Sequence, residues 1–129
     1  MSKKVIASAQ APKALGPYSQ GIRVGNMIYL AGQIPLDPTS GQLVEGGILE
    51  QTERVISSIK ALLESEGLSL NHVVKSTVFM KDLAEFEGMN QVYSKYFTEK
   101  PPARSTIQVA RLPRDSKVEI EVVAIDGAA

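Results

Sequence analysis

Three charged side chains stand on stretches that otherwise read as strands. "RSTIQV", at Arg104–Val109, opens on an arginine, and "KVEIEVVAI", at Lys117–Ile125, carries Glu119 and Glu121. Strand side chains alternate between faces. Arg104, Thr106 and Gln108 therefore share one side of their strand. Val118, Ile120, Val122 and Ala124 form an apolar side of the other, which leaves Glu119 and Glu121 opposite, beside Val123 and Ile125. A guanidinium offers a planar fork of donors that matches a carboxylate. Two uses of Arg104 stay open at this level: a structural ion pair with Glu119 or Glu121, or a clamp for a small carboxylate.

Composition removes most other chemistries. There is no cysteine, which excludes disulfides, thiolate nucleophiles and cysteine-bound metals. The single histidine, His72 in "SLNHVVK", reads as a turn or surface residue and cannot build a histidine metal site. No metal site is expected from these residues. Fourteen basic residues balance fourteen acidic ones, whereas nucleic-acid binders carry a basic excess to neutralise phosphates. Stable nucleic-acid binding is therefore not expected. The N-terminal "MSKKVIASAQAPK" has no apolar core of signal-peptide length, and no stretch approaches the roughly 20 apolar residues of a membrane span. A cytoplasmic protein without membrane association is the expectation.

The elements that must position these groups are also legible. At 129 residues the chain reads as one domain, 1–129, able to bury roughly two thirds of its unfolded surface. "QGIRV" and "MIYLA" form a hairpin across Gly25–Asn26, after a short first strand near Lys4–Ala7. From Ile48 to Glu66 the period changes: Ile48, Thr52, Val55, Ile56, Ile59, Leu62 and Leu63 mark one face of a helix ended by Gly67. "HVVKSTVFM" is a strand rich in β-branched residues. A second helix opens at Asp82, with Glu85 three residues on, an N-cap and N3 pairing close to a capping box. Its apolar face is Leu83, Phe86, Met89, Tyr93, Tyr96 and Phe97, and Gly88 within it suggests close packing. Pro101–Pro102 stops it, and two strands follow, Arg104–Ala110 and Lys117–Ile125.

The order is β-β-β-α-β-α-β-β, an α+β pattern. Two helices can cover only one face of such a sheet. The mixed character of the face holding Glu119, Glu121, Val123 and Ile125 suits contact with another subunit better than water.

"PPARSTIQVARLPRDSKVEIEVVAI" resembles the C-terminal signature of the reactive-intermediate deaminase family, known as RidA or YjgF. "GPYSQGIRVGNMIYLAGQIPLDPTSG" and "VVKSTVFMKDLAEFEGMNQVYSKYF" are similar to its preceding blocks, so the resemblance spans nearly the whole chain. It implies a chorismate-mutase-like fold and a homotrimer built round a central β-barrel, with clefts between subunits. It further implies hydrolysis of 2-imino acids, such as 2-iminopropanoate and 2-iminobutanoate, to 2-keto acids and ammonia, with no metal or organic cofactor.

On this resemblance Arg104 holds the substrate carboxylate and Glu119 positions and polarises the attacking water. Glu121 is left as a structural group, and Arg111 and Arg114 as solvated. Tyr18 and Gly32 line the cleft, the glycine permitting close backbone approach. Thr106 contributes backbone groups and stands where several members carry cysteine. Asn90 and Phe86 add to the pocket, although Phe86 reads equally well as core. Ala31 replaces a serine common in the family. The rival functions are a small-carboxylate binding or regulatory module without turnover and, more remotely, a ribonuclease or translation inhibitor.

Overall fold

The computed structural model describes residues 2–129. Six strands form one sheet: β1 (Lys4–Ile6), β2 (Gly21–Val24), β3 (Met27–Gln33), β4 (Val73–Met80), β5 (Ala103–Gln108) and β6 (Val118–Ile125), in the order β1-β2-β3-β6-β4-β5. All neighbours are antiparallel except β4 and β5. This parallel pair at the sheet edge is joined by a crossover helix, as parallel neighbours require. The helices are α1 (Ile48–Glu64) and α2 (Phe86–Tyr96). Element order and class agree with the reading from sequence: an α+β fold with a mixed sheet.

The β2–β3 hairpin turns at Gly25–Asn26, with a positive φ of 61° at Gly25. That is the left-handed position glycine enters without a Cβ penalty. α1 buries Val55, Ile56, Ile59, Leu62 and Leu63 completely, each worth about 1.5–3 kcal/mol in removed apolar surface. Its end is a Schellman arrangement. Leu68 donates its N–H to the Leu63 carbonyl, Gly67 donates to that of Glu64, and Gly67 takes a φ of 73°.

α2 begins differently from expectation. Asp82 does cap, its Oδ1 accepting from the Ala84 N–H at 2.8 Å, but it heads a single 3-10 turn, Leu83–Glu85, before the α-helix proper. Glu85 does not complete a capping box. Its carboxylate pairs instead with Lys117 Nζ at 3.1 Å, tying the helix start to the approach of β6. At Gly88 a Cβ would stand 2.7 Å from Ile48 Cγ2, so the two helices meet as closely as the glycine suggested.

The core lies between this helical layer and one side of the sheet, where Ile28, Leu30, Val78, Met80, Val118, Ile120, Val122 and Ala124 are buried. The other side is uncovered in the single chain. Tyr29 (47% exposed) and Ile107 (45%) stand on it with the half-buried Phe79, Val123 and Ile125. No helix among the described residues is long and apolar enough to cross a membrane.

Two bulges decide which residues reach which side. β4 pairs Val73 with Ala124 but Lys75 with Val123, so Val74 is an extra residue. From there on Ser76, Val78 and Met80 face the helices while Lys75, Thr77 and Phe79 face out. In β3, Leu30 pairs with Val122 and Gln33 with Ile120, leaving Ala31 and Gly32 in the irregular stretch. Bulges re-aim side chains in this way.

Candidate functional site

Arg104 enters the sheet edge in register with Ser76, which turns its side chain toward α2. There Nη1 donates to Asn90 Oδ1 at 2.9 Å. The guanidinium carbon lies 4.6 Å from the centre of the Tyr93 ring and 5.5 Å from that of Phe86. Two aromatic faces thus hold the cation electrostatically, and one amide fixes an edge. Among the described residues no ion pair involves Arg104. The structural pairing with Glu119 or Glu121, left open by the sequence, is not made within the chain. The cation is held in place by uncharged neighbours and keeps donors free.

Tyr93 is itself anchored. Its hydroxyl and Ser76 Oγ share a buried hydrogen bond of 2.6 Å, and its ring lies 4.4 Å from that of Phe97. Burial pushes the Tyr93 hydroxyl up in pKa, with the Ser76 bond and the nearby Arg104 charge acting against it. Thr106, two residues beyond Arg104, has a buried Oγ1 with no hydrogen-bond partner. On the same strand Gln108 Oε1 accepts the Leu83 N–H at 2.8 Å, binding β5 to the start of the second helical segment.

Glu119 lies on the opposite side of the sheet. It pairs with Phe79 across the β4–β6 ladder, and its carboxylate fills the space that a Cβ would need at Gly32. The close approach allowed by Gly32 is therefore taken by a side chain of the same protein. Burial raises the Glu119 pKa, and the charge of Glu121 on the same face raises it further. A carboxylate whose pKa is raised in this way is a stronger proton acceptor than an ordinary glutamate.

Tyr18 is half exposed, and its hydroxyl accepts the Leu15 N–H at 3.1 Å. With Val5, Lys13, Ser19 and Gln20 it lines an open cavity of ≈ 470 Å³ that contains neither Arg104 nor Glu119. Arg111 and Arg114 are exposed, Arg114 reaching only the Gly41 carbonyl at 3.4 Å. His72 sits in a 3-10 turn, its Nδ1 accepting from the Ser69 N–H. Among the described residues no cluster of three or more histidine or acidic side chains could hold a metal.

One chain brings together Arg104, Asn90, Phe86 and Tyr93 at the β5 edge, and Glu119 with Gly32 on the open side. It does not bring the two groups to one point. Sequence reasoning missed three positioning residues. Tyr93 was legible only as core, and Ser76 depends on the β4 bulge. Gln20 is buried: its Oε1 accepts from the Ser8 N–H and its Nε2 donates to the carbonyls of Ala11 and Pro12, which ties down the segment before Tyr18.

Comparison with known proteins bears on this arrangement. Residues 8–126 match the family described as Endoribonuclease L-PSP. A RutC family protein of Pyrococcus abyssi is 57% identical over 124 residues, covering 96% of this chain and 98% of its own. The mouse 2-iminobutanoate/2-iminopropanoate deaminase is 46% identical, with 97% of this chain and 93% of its own covered. Among solved structures, Escherichia coli TdcF with bound serine superposes with a TM-score of 0.91 at 40% identity, covering 95% of this chain and 98% of that one.

Proposed function

This chain belongs to the L-PSP endoribonuclease family, the family of its deaminase relatives, and from that premise we propose that it hydrolyses 2-imino acids to 2-keto acids and ammonia. The observation that carries the reading is Arg104: a guanidinium held between Tyr93 and Phe86 and bonded to Asn90, with no carboxylate of its own chain paired to it. A cation so oriented, with donors to spare, suits a small carboxylate from outside.

The reaction asks for little more. Water oxygen adds to the imine carbon, the nitrogen gains the protons it needs, and the carbon–nitrogen bond breaks to release ammonia. Glu119, with its carboxyl pushed upward by burial and Glu121, takes a proton from the attacking water and returns it to the departing nitrogen. Arg104 fixes the substrate so that carbon and water meet in a productive geometry. Because Arg104 and Glu119 lie on opposite sides of one sheet, a shared substrate requires the open face of a second copy against the β5 edge of the first. The homotrimer implied by the resemblance meets that need, with its three sites between subunits.

The test couples a threonine or serine dehydratase to this protein and follows the imine absorbance. The expected outcome is faster loss of the imine than its spontaneous hydrolysis. A second reading, small-carboxylate binding without turnover, draws support from the serine bound to the similar TdcF. Saturable binding of 2-oxobutanoate with no acceleration from any amino-acid precursor would select it.

A further inference from the structure

We propose that Tyr93 and Ser76 form a tether that sets the orientation of Arg104, and that they are positioning residues for recognition of the substrate carboxylate. The inference rests on the functional reading of Arg104 above. It starts from a buried polar pair: Ser76 is completely buried and Tyr93 nearly so, the tyrosine in the same core cluster as Val78, Met89 and Val92. Their hydroxyls meet at 2.6 Å. A buried hydroxyl pair offers little over a well-packed apolar pair in net stability, since both groups lose water to make one bond.

The pair's position supplies a reason for it. Ser76 is the register partner of Arg104 on the neighbouring strand. Tyr93 stands on α2 one turn beyond Asn90, and its ring is the nearer of the two that hold the guanidinium. Residues three apart on a helix share a face, so Asn90 and Tyr93 approach the cation together. Asn90 restrains one edge of the guanidinium. Tyr93 restrains its plane, and only while the ring is itself fixed. The ring is fixed at its hydroxyl by Ser76 and along its side by Phe97. The bond thus links β4, which carries the neighbour of Arg104, to the helix that carries its aromatic support. Loosening it lets the guanidinium plane rock, and a two-pronged contact is sensitive to such rocking.

The experiment removes the bond from each end without removing the ring or the arginine. Tyr93→Phe and Ser76→Ala are each expected to raise KM for the imino acid roughly 2- to 12-fold, the range of one hydrogen bond, with kcat nearly unchanged. The double variant should be no worse than either single one, because both remove the same contact. Tyr96→Phe serves as the control: it deletes a hydroxyl of α2 that donates to Glu53 on α1 and not to the groups that hold Arg104. It should lower Tm without moving KM. In parallel, titration with 2-oxobutanoate measures carboxylate binding independently of turnover, and Kd should rise in step with KM. If the wild type binds 2-oxobutanoate but hydrolyses no imine, the deaminase reading falls while the tether is still judged on Kd. Unchanged KM and Kd in both tether variants, with only Tm lowered, would overturn the proposal and leave the pair as packing.

Discussion

Arg104 and Glu119 are supported in opposite ways, and their variants should fail differently. Arg104 is stabilised by two rings and an amide. Its removal therefore strands no buried carboxylate, the event that makes a broken internal ion pair cost about 3–5 kcal/mol. Arg104→Lys keeps the charge but loses the planar fork, and kcat/KM should fall roughly 10- to 150-fold, the worth of one charge-assisted bond. Arg104→Ala should lose more activity while melting close to the wild type. A collapsed fold, or full activity in the alanine variant, would return Arg104 to scaffolding. Glu119 is a carboxyl whose pKa is raised by burial and by Glu121. In the folded state it keeps its proton to higher pH than in the unfolded chain. Its stabilising contribution is therefore complete below the ordinary glutamate pKa of about 4.3 and disappears as pH rises through the raised folded value. Glu119→Gln lacks that titration. Its Tm relative to the wild type should climb as pH rises from about 4 toward neutral, while its turnover is mostly lost because an amide cannot accept a proton. A Tm difference that does not vary with pH would mean that the carboxyl is better solvated than its surroundings indicate.

At the scale of elements, periodicity carried most of the information. The α1 face, the Gly67 stop, the Gly25–Asn26 hairpin and the order of elements along the chain all follow from apolar spacing and turn residues, because each is a local rule; the placing of β6 between β3 and β4 is not. The two bulges were not legible. "VVKSTVFM" and "MIYLAGQ" look like uninterrupted strands, and the extra residues at Val74 and at Ala31–Gly32 exist only relative to β6. Hence the assignment of Ser76 to the helix side, and of the Gly32 gap to Glu119, could not be read from one strand at a time. The Asp82–Glu85 box failed for a related reason: Lys117, distant in sequence, competes for the Glu85 carboxylate. Arg104 and Glu119 were recognisable as charges on strands, but their opposite sides follow from pairing with Ser76 and Phe79. Gly88 allows a direct test of packing against propensity. Alanine gains about 1 kcal/mol of helix propensity, yet its Cβ would stand 2.7 Å from Ile48 Cγ2, a branch methyl with little freedom. Overpacking typically costs about 1–3 kcal/mol. Gly88→Ala should therefore lower stability by up to about 2 kcal/mol after the propensity gain, read as a lower urea midpoint. A raised midpoint would mean that α1 gives way at Ile48 without strain.

For the whole molecule the decisive feature is that one chain sends Arg104 and Glu119 to opposite sides of its sheet, so the proposed function requires each chain to hold half of each site. Its uncovered sheet face carries Tyr29, Phe79, Ile107 and Val123 beside Glu119 and Glu121. Arg104 looks out from the far edge toward the helical side. In a closed ring each chain would give its Arg104 to one neighbour and its Glu119 to the other, a heterologous contact that closes on itself. Sedimentation equilibrium at micromolar concentration should give a trimer, and a monomer would end the shared site. The arrangement also makes a prediction that oligomeric state alone cannot. Arg104→Ala and Glu119→Gln chains, each with most of its activity lost when alone, are unfolded together in equal amounts and refolded as mixed rings. A site works only where a Glu119→Gln chain supplies Arg104 and an Arg104→Ala chain supplies Glu119. Random mixing places the required chain at each of the two positions half the time, so about one quarter of the sites regain both groups. Activity should return to about that fraction of the wild type refolded in parallel. If both residues served a substrate within one chain, every site would still lack one of them, and the mixed rings would stay as inactive as their parents.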